Sequence, residues 1–245
     1  MYENLKKKFG QNFLIDKNIL LKIINLIDLK NLDILEIGPG NGKLTDFIIL
    51  KKPRLLTLIE IDTKLAEGLQ IKYSKFNYIK VINANILETD LKETYQLVIS
   101  NLPYNISSQI IVKLALLDKS PNKLILMFQK EFAQRLLDKK INSINSLISC
   151  FYDVKLSFNV SKNCFRPTPK VDSSVLIFSK KDKKLLREDE VNDFIIFKRH
   201  LFSHKRKSLK NLLRQYHLEK DFNLNMRVEN LDLETLISIF RKVKS

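Results

Sequence analysis

The sequence predicts an α/β protein, a doubly wound and mainly parallel sheet followed by a small helical C-terminal domain. Three observations predict it. From Leu32 to Leu137, apolar runs of strand length alternate with segments of helical periodicity, the order that a parallel sheet with crossover helices requires. The first strand runs straight into Gly38-Pro39-Gly40-Asn41-Gly42, a turn tight enough to feed the chain into a helix. Beyond the charged linker Ser179-Lys180-Lys181-Asp182-Lys183-Lys184, only helical periodicity remains. The boundary therefore falls near residue 180, dividing 1–180 from 181–245.

In order, Lys6 to Ile15 is too irregular for helix or strand. Asp16 can cap the helix whose buried face is Leu20, Ile23, Ile24 and Ile27. Leu32–Ile37 is a short buried strand, and the glycine turn leads to a helix through Leu44, Phe47 and Ile48. Arg54–Glu60, Tyr78–Ile82 and Tyr95–Ser100 repeat the strand pattern, with a helix over Thr63–Tyr73. Ser107–Leu117 reads as helix, Lys123–Phe128 as strand and Glu131–Leu137 as helix. Val154–Phe158 and Val171–Phe178 are the last strands.

Composition narrows the function. With 245 residues, 44% hydrophobic and only 5 Gly and 6 Pro, the chain can bury one large core and a small one. A net charge of +16 favours a polyanionic partner such as nucleic acid. The two cysteines, Cys150 and Cys164, form no disulfide framework and are expected to be reduced. No apolar stretch follows the basic N-terminus and no window is long enough to span a bilayer, so a soluble, cytoplasmic protein is expected.

The chemistry centres on Asn101-Leu102-Pro103-Tyr104-Asn105-Ile106-Ser107, which closes the fourth strand. In an open α/β sheet this carboxyl edge is where ligands bind. Pro103 pushes Leu102 into an extended conformation, which leaves its carbonyl free beside the Asn101 amide oxygen. Tyr104 adds a flat face for stacking. Two acceptors and an aromatic plate suit an aromatic amine such as that of adenine, whose delocalised lone pair they would localise toward an electrophile. Gly38, Gly40 and Gly42 follow the G-x-G-x-G spacing, which is neither the dinucleotide fingerprint nor a Walker A loop. Their backbone can approach a ligand closely, and Glu60 at the end of the second strand can accept both hydroxyls of a ribose. Together these favour S-adenosylmethionine.

Four stretches carry a resemblance. Lys8 to Leu14, Glu36 to Thr45, Asn101 to Ser107 and Phe165 to Val175 together resemble the ribosomal RNA adenine N6,N6-dimethyltransferase family, in order and across most of the chain. The Leu of Asn-Leu-Pro-Tyr and the tail Phe202 to Asn211 are more similar to the small-subunit members than to the large-subunit enzymes of macrolide resistance. The resemblance implies a Rossmann-like methyltransferase sheet. It also implies an S-adenosyl-L-methionine site made of Asn12, Leu14, Gly38, Gly40, Glu60, Ile61, Asn85 and Asn101. Catalysis would rest on Asn101, Leu102, Pro103 and Tyr104, with Phe165 stacking on the target base opposite Tyr104.

Three departures stand out. Asn85 occupies a position where the family usually has Asp; its amide oxygen can accept from the adenine amine without charge assistance, which predicts a weaker hold on the cofactor. Residues 139–147 lack the family's Tyr-Gly, and Val160-Ser161-Lys162 lacks its prolines.

Lys198, Arg199, Lys205, Arg206, Lys207, Lys210 and Arg214 lie in a stretch without any acidic residue, beside an apolar set of Phe197, Leu201, Leu209, Leu212 and Leu213. This predicts a helical segment packed on one side and docked on RNA phosphates with the other. His200 and His204 have no third ligand near them, and no metal site is expected. The reading is therefore a monomeric enzyme that dimethylates adenosine N6 in small-subunit ribosomal RNA, within a ribosomal particle and away from membranes. The alternatives are a large-subunit RNA or DNA methyltransferase, and a ribosome-assembly factor in which methyl transfer is dispensable.

Overall fold

The computed structural model describes residues 12–216, 218 and 222–244; Lys8 to Gln11 of the first motif lie outside them. A seven-stranded sheet forms the body of the first of two compact units, 1–133 with 152–180. Its strands are β2 (Asp33–Ile37), β3 (Leu55–Glu60), β4 (Ile79–Asn83), β5 (Leu97–Asn101), β6 (Lys123–Gln129), β7 (Tyr152–Val160) and β9 (Ser173–Lys180), in the order β4-β3-β2-β5-β6-β9-β7. The five strands from β4 to β6 are parallel. They read as near-continuous apolar runs because the central ones are covered on both faces: Ile34, Leu56, Leu97, Ile99 and Leu124 are fully buried. β9 runs antiparallel to both neighbours, as a connection without a crossover helix allows. The sheet is thus the doubly wound, mainly parallel one expected.

Helices α1 (Lys17–Ile24), α2 (Lys43–Ile49), α3 (Thr63–Tyr73) and α4 (Ser107–Ala115) follow the expected order. Asp16 caps α1 by accepting from the Asn18 and Ile19 N–H groups at 2.9 and 3.1 Å. The segment read as irregular contains a short strand, β1 (Phe13–Leu14), paired antiparallel with β8 (Phe165–Arg166). Two residues show no periodicity, so only the pairing reveals this ladder.

The second unit joins 134–151 to 181–245. The sequence reading kept 134–151 with the sheet; this stretch instead belongs to the helical unit, where Ser143 accepts from Lys198. Beyond the last turn of α5 (Lys130–Leu137), which starts in the first unit, and the single turn α6 (Asn145–Ile148), this unit holds α7 (Val191–Ser203), α8 (Leu209–Leu212) and α9 (Leu233–Lys244). Phe194 meets Phe240 edge-on at 5.3 Å. Glu190 is buried and paired with Arg241 at 2.9 and 3.1 Å, and the Arg241 hydrogen bonds hold its carboxyl down at about 2. A depressed acid stabilises the fold above its unfolded value of 4.5 and loses that contribution as pH falls toward 2. Arg241→Met should therefore cost on the order of 2 kcal/mol at pH 7, by leaving Glu190 without its main partner. The loss should shrink at pH 3, where the unpaired acid can protonate. Urea titrations at the two pH values test this, and equal losses would contradict it.

No described helix is long and apolar enough to cross a membrane. Cys150 and Cys164 are unpaired.

Candidate active site

The strand order reverses between β2 and β5, and the carboxyl ends of β2, β3 and β5 meet there around one cavity. Its wall includes every cofactor residue named from the sequence: Asn12, Leu14, Gly38, Gly40, Glu60, Ile61, Asn85 and Asn101. Leu102, Pro103 and Tyr104 line it too.

The glycine turn owes its shape to backbone conformation. Gly38 and Gly40 have φ of +62° and +60°, where an L side chain is strained. A Cβ on Gly40 would also lie 2.6 Å from the Phe13 ring, so β1 sits directly on the turn. Among the described residues a Cβ on Gly38 would touch only Pro103, at 3.7 Å, and both glycines line the cavity. The Glu60 carboxylate accepts from the N–H groups of Gly40 and Asp62 at 2.9 and 3.0 Å, binding the end of β3 to the turn. It is buried, and desolvation raises its pKa against those two bonds. Ile61, 43% exposed, offers an apolar surface beside it.

On β5, the Asn101 side chain donates through Nδ2 to the Asn12 carbonyl at 2.9 Å. That bond fixes the plane of the amide and leaves Oδ1 with no donor among the described residues. Leu102 is buried and anchors the loop. The Tyr104 hydroxyl is 2.6 Å from Ser173 Oγ on β9, which fixes the ring, and burial raises the Tyr104 pKa so that it remains a neutral phenol. Ser173 was not singled out from the sequence. It sits within the Asp172-Ser173-Ser174 motif, but a serine inside an apolar strand names no partner.

Three sequence expectations change. Phe165 is fully buried in the hydrophobic core, opposite Leu14 in the β1–β8 ladder, and is not part of the cavity wall. It offers no face to a base here. Lys198 is 7% exposed and donates to Ser143 O and Oγ, so it is not a phosphate-binding cation. Its position follows Phe194 by four and precedes Leu201 by three, the same helix face, and burial beside Arg199 lowers its pKa to about 8. Asn85 faces its own loop: Nδ2 donates to Glu88 at 2.8 Å and Oδ1 accepts from the Leu87 N–H at 3.0 Å.

The Asn85 geometry alters what an aspartate there would do. Asn85→Asp alone places two carboxylates together and should weaken binding of an adenosyl ligand roughly threefold, the pair being solvent-screened. Asn85→Asp with Glu88→Gln should bind more tightly than either single variant. Calorimetry on the three variants decides it; a gain for Asn85→Asp alone would show that Glu88 does not face it in solution.

Glu36 was also passed over. It is buried on β2, accepts from Thr45 Oγ1 at 2.7 Å and lines the cavity, and desolvation raises its pKa to about 8. It is therefore mostly neutral at pH 7. Of the remaining tail cations, Arg199, Lys205, Arg206, Lys207, Lys210 and Arg214 are all exposed.

The family model for ribosomal RNA adenine dimethylase matches residues 2–244. The chain belongs to that family. Curated proteins named ribosomal RNA small subunit methyltransferase A are similar throughout: that of Pelagibacter ubique is 38% identical, over 99% of this chain and 98% of its own. That of Malacoplasma penetrans is 40% identical over 86% and 78%. Among solved structures, a dimethyladenosine transferase from Plasmodium falciparum superposes with a TM-score of 0.77 at 28% identity, covering 94% of this chain and 95% of that one. The 23S rRNA methyltransferase ErmE matches with a TM-score of 0.74 at 24% identity over 96% and 100%, and supports the fold. The rRNA adenine dimethylase sheet is the Rossmann-like methyltransferase sheet implied by the motifs, and this member is an rRNA adenine dimethyltransferase.

Proposed function

We propose that the chain dimethylates N6 of adenosine in small-subunit ribosomal RNA, with S-adenosyl-L-methionine as methyl donor. The observation that carries this reading is the Asn101 amide. With Nδ2 held by the Asn12 carbonyl, its Oδ1 is left as a free acceptor among the described residues, on a residue that lines the cavity together with Glu60 and Gly38. The small-subunit choice follows the names of the relatives above 30% identity.

The cavity suits an adenosyl group. A buried carboxylate with a lone pair left on each oxygen can accept two ribose hydroxyls, the space above Gly38 admits a chain close to the backbone, and Ile61 can cover an adenine face. Asn12, Leu14, Gly40 and Asn85 complete the wall. When bound, the cofactor supplies an electrophilic methyl group on its sulfonium centre. Asn101 Oδ1 and the Leu102 carbonyl would accept from the N–H groups of the target amine, two before the first transfer and one before the second, which draws N6 toward tetrahedral geometry and localises its lone pair; each methyl gained at N6 is matched by one proton lost from it and by a neutral thioether as leaving group. Tyr104, held through its hydroxyl, stacks on the purine and sets the direction of approach. The exposed cations of 199–214 bind the RNA backbone, and the enzyme acts as a cytoplasmic monomer on a ribosomal particle.

Incubation with methyl-labelled S-adenosyl-L-methionine and, separately, unmethylated small subunits, large subunits and duplex DNA tests the proposal. Label recovered as dimethyladenosine in small-subunit RNA is the expected result. Label in large-subunit RNA or DNA would replace the substrate; small-subunit binding without label in any acid would indicate an assembly factor.

A further inference from the structure

Lys113 lies in the last turn of α4, the helix that begins directly after the Asn101 to Asn105 loop. Its ammonium donates to the carbonyls of Leu87 and Thr89 at 3.1 and 2.7 Å. These belong to a tight turn in which the Asn85 carbonyl accepts from the N–H groups of Glu88 and Thr89, at 3.0 and 2.9 Å, and from Thr89 Oγ1 at 2.8 Å. Such a turn ends like a helix, with carbonyls left over, and a cation is the complementary partner. Among the described residues no backbone N–H reaches either carbonyl outside this contact. At its other end the segment is tied by the Ala84 N–H to the Glu60 carbonyl at 3.0 Å. Between the two ties, Ala84 to Leu87 form one wall of the cavity.

We infer that Lys113 is a positioning residue for the cofactor site, a clamp from the target-loop helix that holds the Ala84–Leu87 wall in its binding conformation. The inference rests on the proposed assignment of this cavity to the adenosyl cofactor. One rigid element then carries both the loop that receives the target amine and the anchor of the wall that receives the adenine. Without the clamp the wall keeps its Glu60 tie and its internal turn but samples other arrangements, and the ligand must bear the cost of ordering it. The Lys113 side chain touches no reacting atom; its effect falls on cofactor affinity rather than on the chemical step.

Lys113→Met keeps the aliphatic stem and removes the donors, while Lys113→Arg keeps charge and donors. With S-adenosylhomocysteine as the calorimetric probe, Lys113→Met should bind about tenfold more weakly, the size expected for losing charge-assisted hydrogen bonds. Its kcat at saturating cofactor should stay within about twofold of wild type, so that the loss sits in the cofactor KM. Its thermal midpoint should be unchanged, and Lys113→Arg should recover most of the affinity. Unaltered affinity in Lys113→Met overturns the inference. So does a parallel fall in affinity, kcat and thermal midpoint that Lys113→Arg does not relieve, which would make Lys113 a general fold contact. Failure of the wild-type protein itself to bind the probe would instead overturn the assignment of the cavity.

Discussion

Asn101→Ala should lower methyl transfer by on the order of 10²-fold or more at saturating substrates, the cost of removing one positioned acceptor from the transition state. The magnitude follows from preorganisation. Nδ2 is held by the Asn12 carbonyl at 2.9 Å, so Oδ1 needs no reorientation when the amine arrives. The same bond predicts a secondary effect: Asn12 loses a tether, and cofactor affinity should fall by about threefold, the worth of a neutral hydrogen bond. Single-turnover rates with calorimetry on the same variant separate the two. A variant that keeps wild-type turnover would remove Asn101 from the chemistry, and one that loses only cofactor affinity would make it a tether alone.

The second large effect belongs to the helical unit. Lys205, Arg206 and Lys207 occupy the turn between α7 and α8, and all three side chains are exposed. Their backbone is pinned: the Lys205 and Lys207 carbonyls accept from the Glu229 and Val228 N–H groups at 3.2 and 3.4 Å. None of the three forms an ion pair with a described residue. A cationic turn on a fixed backbone, without counter-charges among the described residues, is suited to phosphates. Reversing all three to Glu should weaken binding to the small-subunit particle by roughly 10²-fold near physiological salt, and each lost contact should reduce the log–log salt slope by about 0.7 to 0.9. Cofactor affinity should not change, since no residue of this turn lines the cavity. Particle binding measured across a salt series is the test; an unaltered affinity and slope would mean that the RNA docks elsewhere.

The removal of Lys198 from this surface sharpens that test. The absence of acids from Lys198 to Arg214 is a true feature of the sequence, yet it does not say which cations reach solvent. The spacing from Phe194 through Lys198 to Leu201 puts Lys198 on the buried face of α7, and helical periodicity, not charge, decides where its side chain lies.

The sequence alone determined the sheet, the glycine turn and the convergence of Gly38, Glu60 and Asn101. In a parallel sheet every strand delivers its last residue to the same edge, so local patterns at three strand ends suffice to assemble a site. Tertiary structure alone decided what depends on partners far along the chain or on side-chain direction. It buried Phe165 through the pairing of β8 with β1 and turned Asn85 toward Glu88. It tied Tyr104 to Ser173, placed Lys113 on the Leu87 and Thr89 carbonyls, and gave 134–151 to the helical unit. The physical reason is range: strand and turn propensities act over a few residues, whereas the partner of a polar or aromatic side chain is fixed only when the packed chain leaves it one place to go.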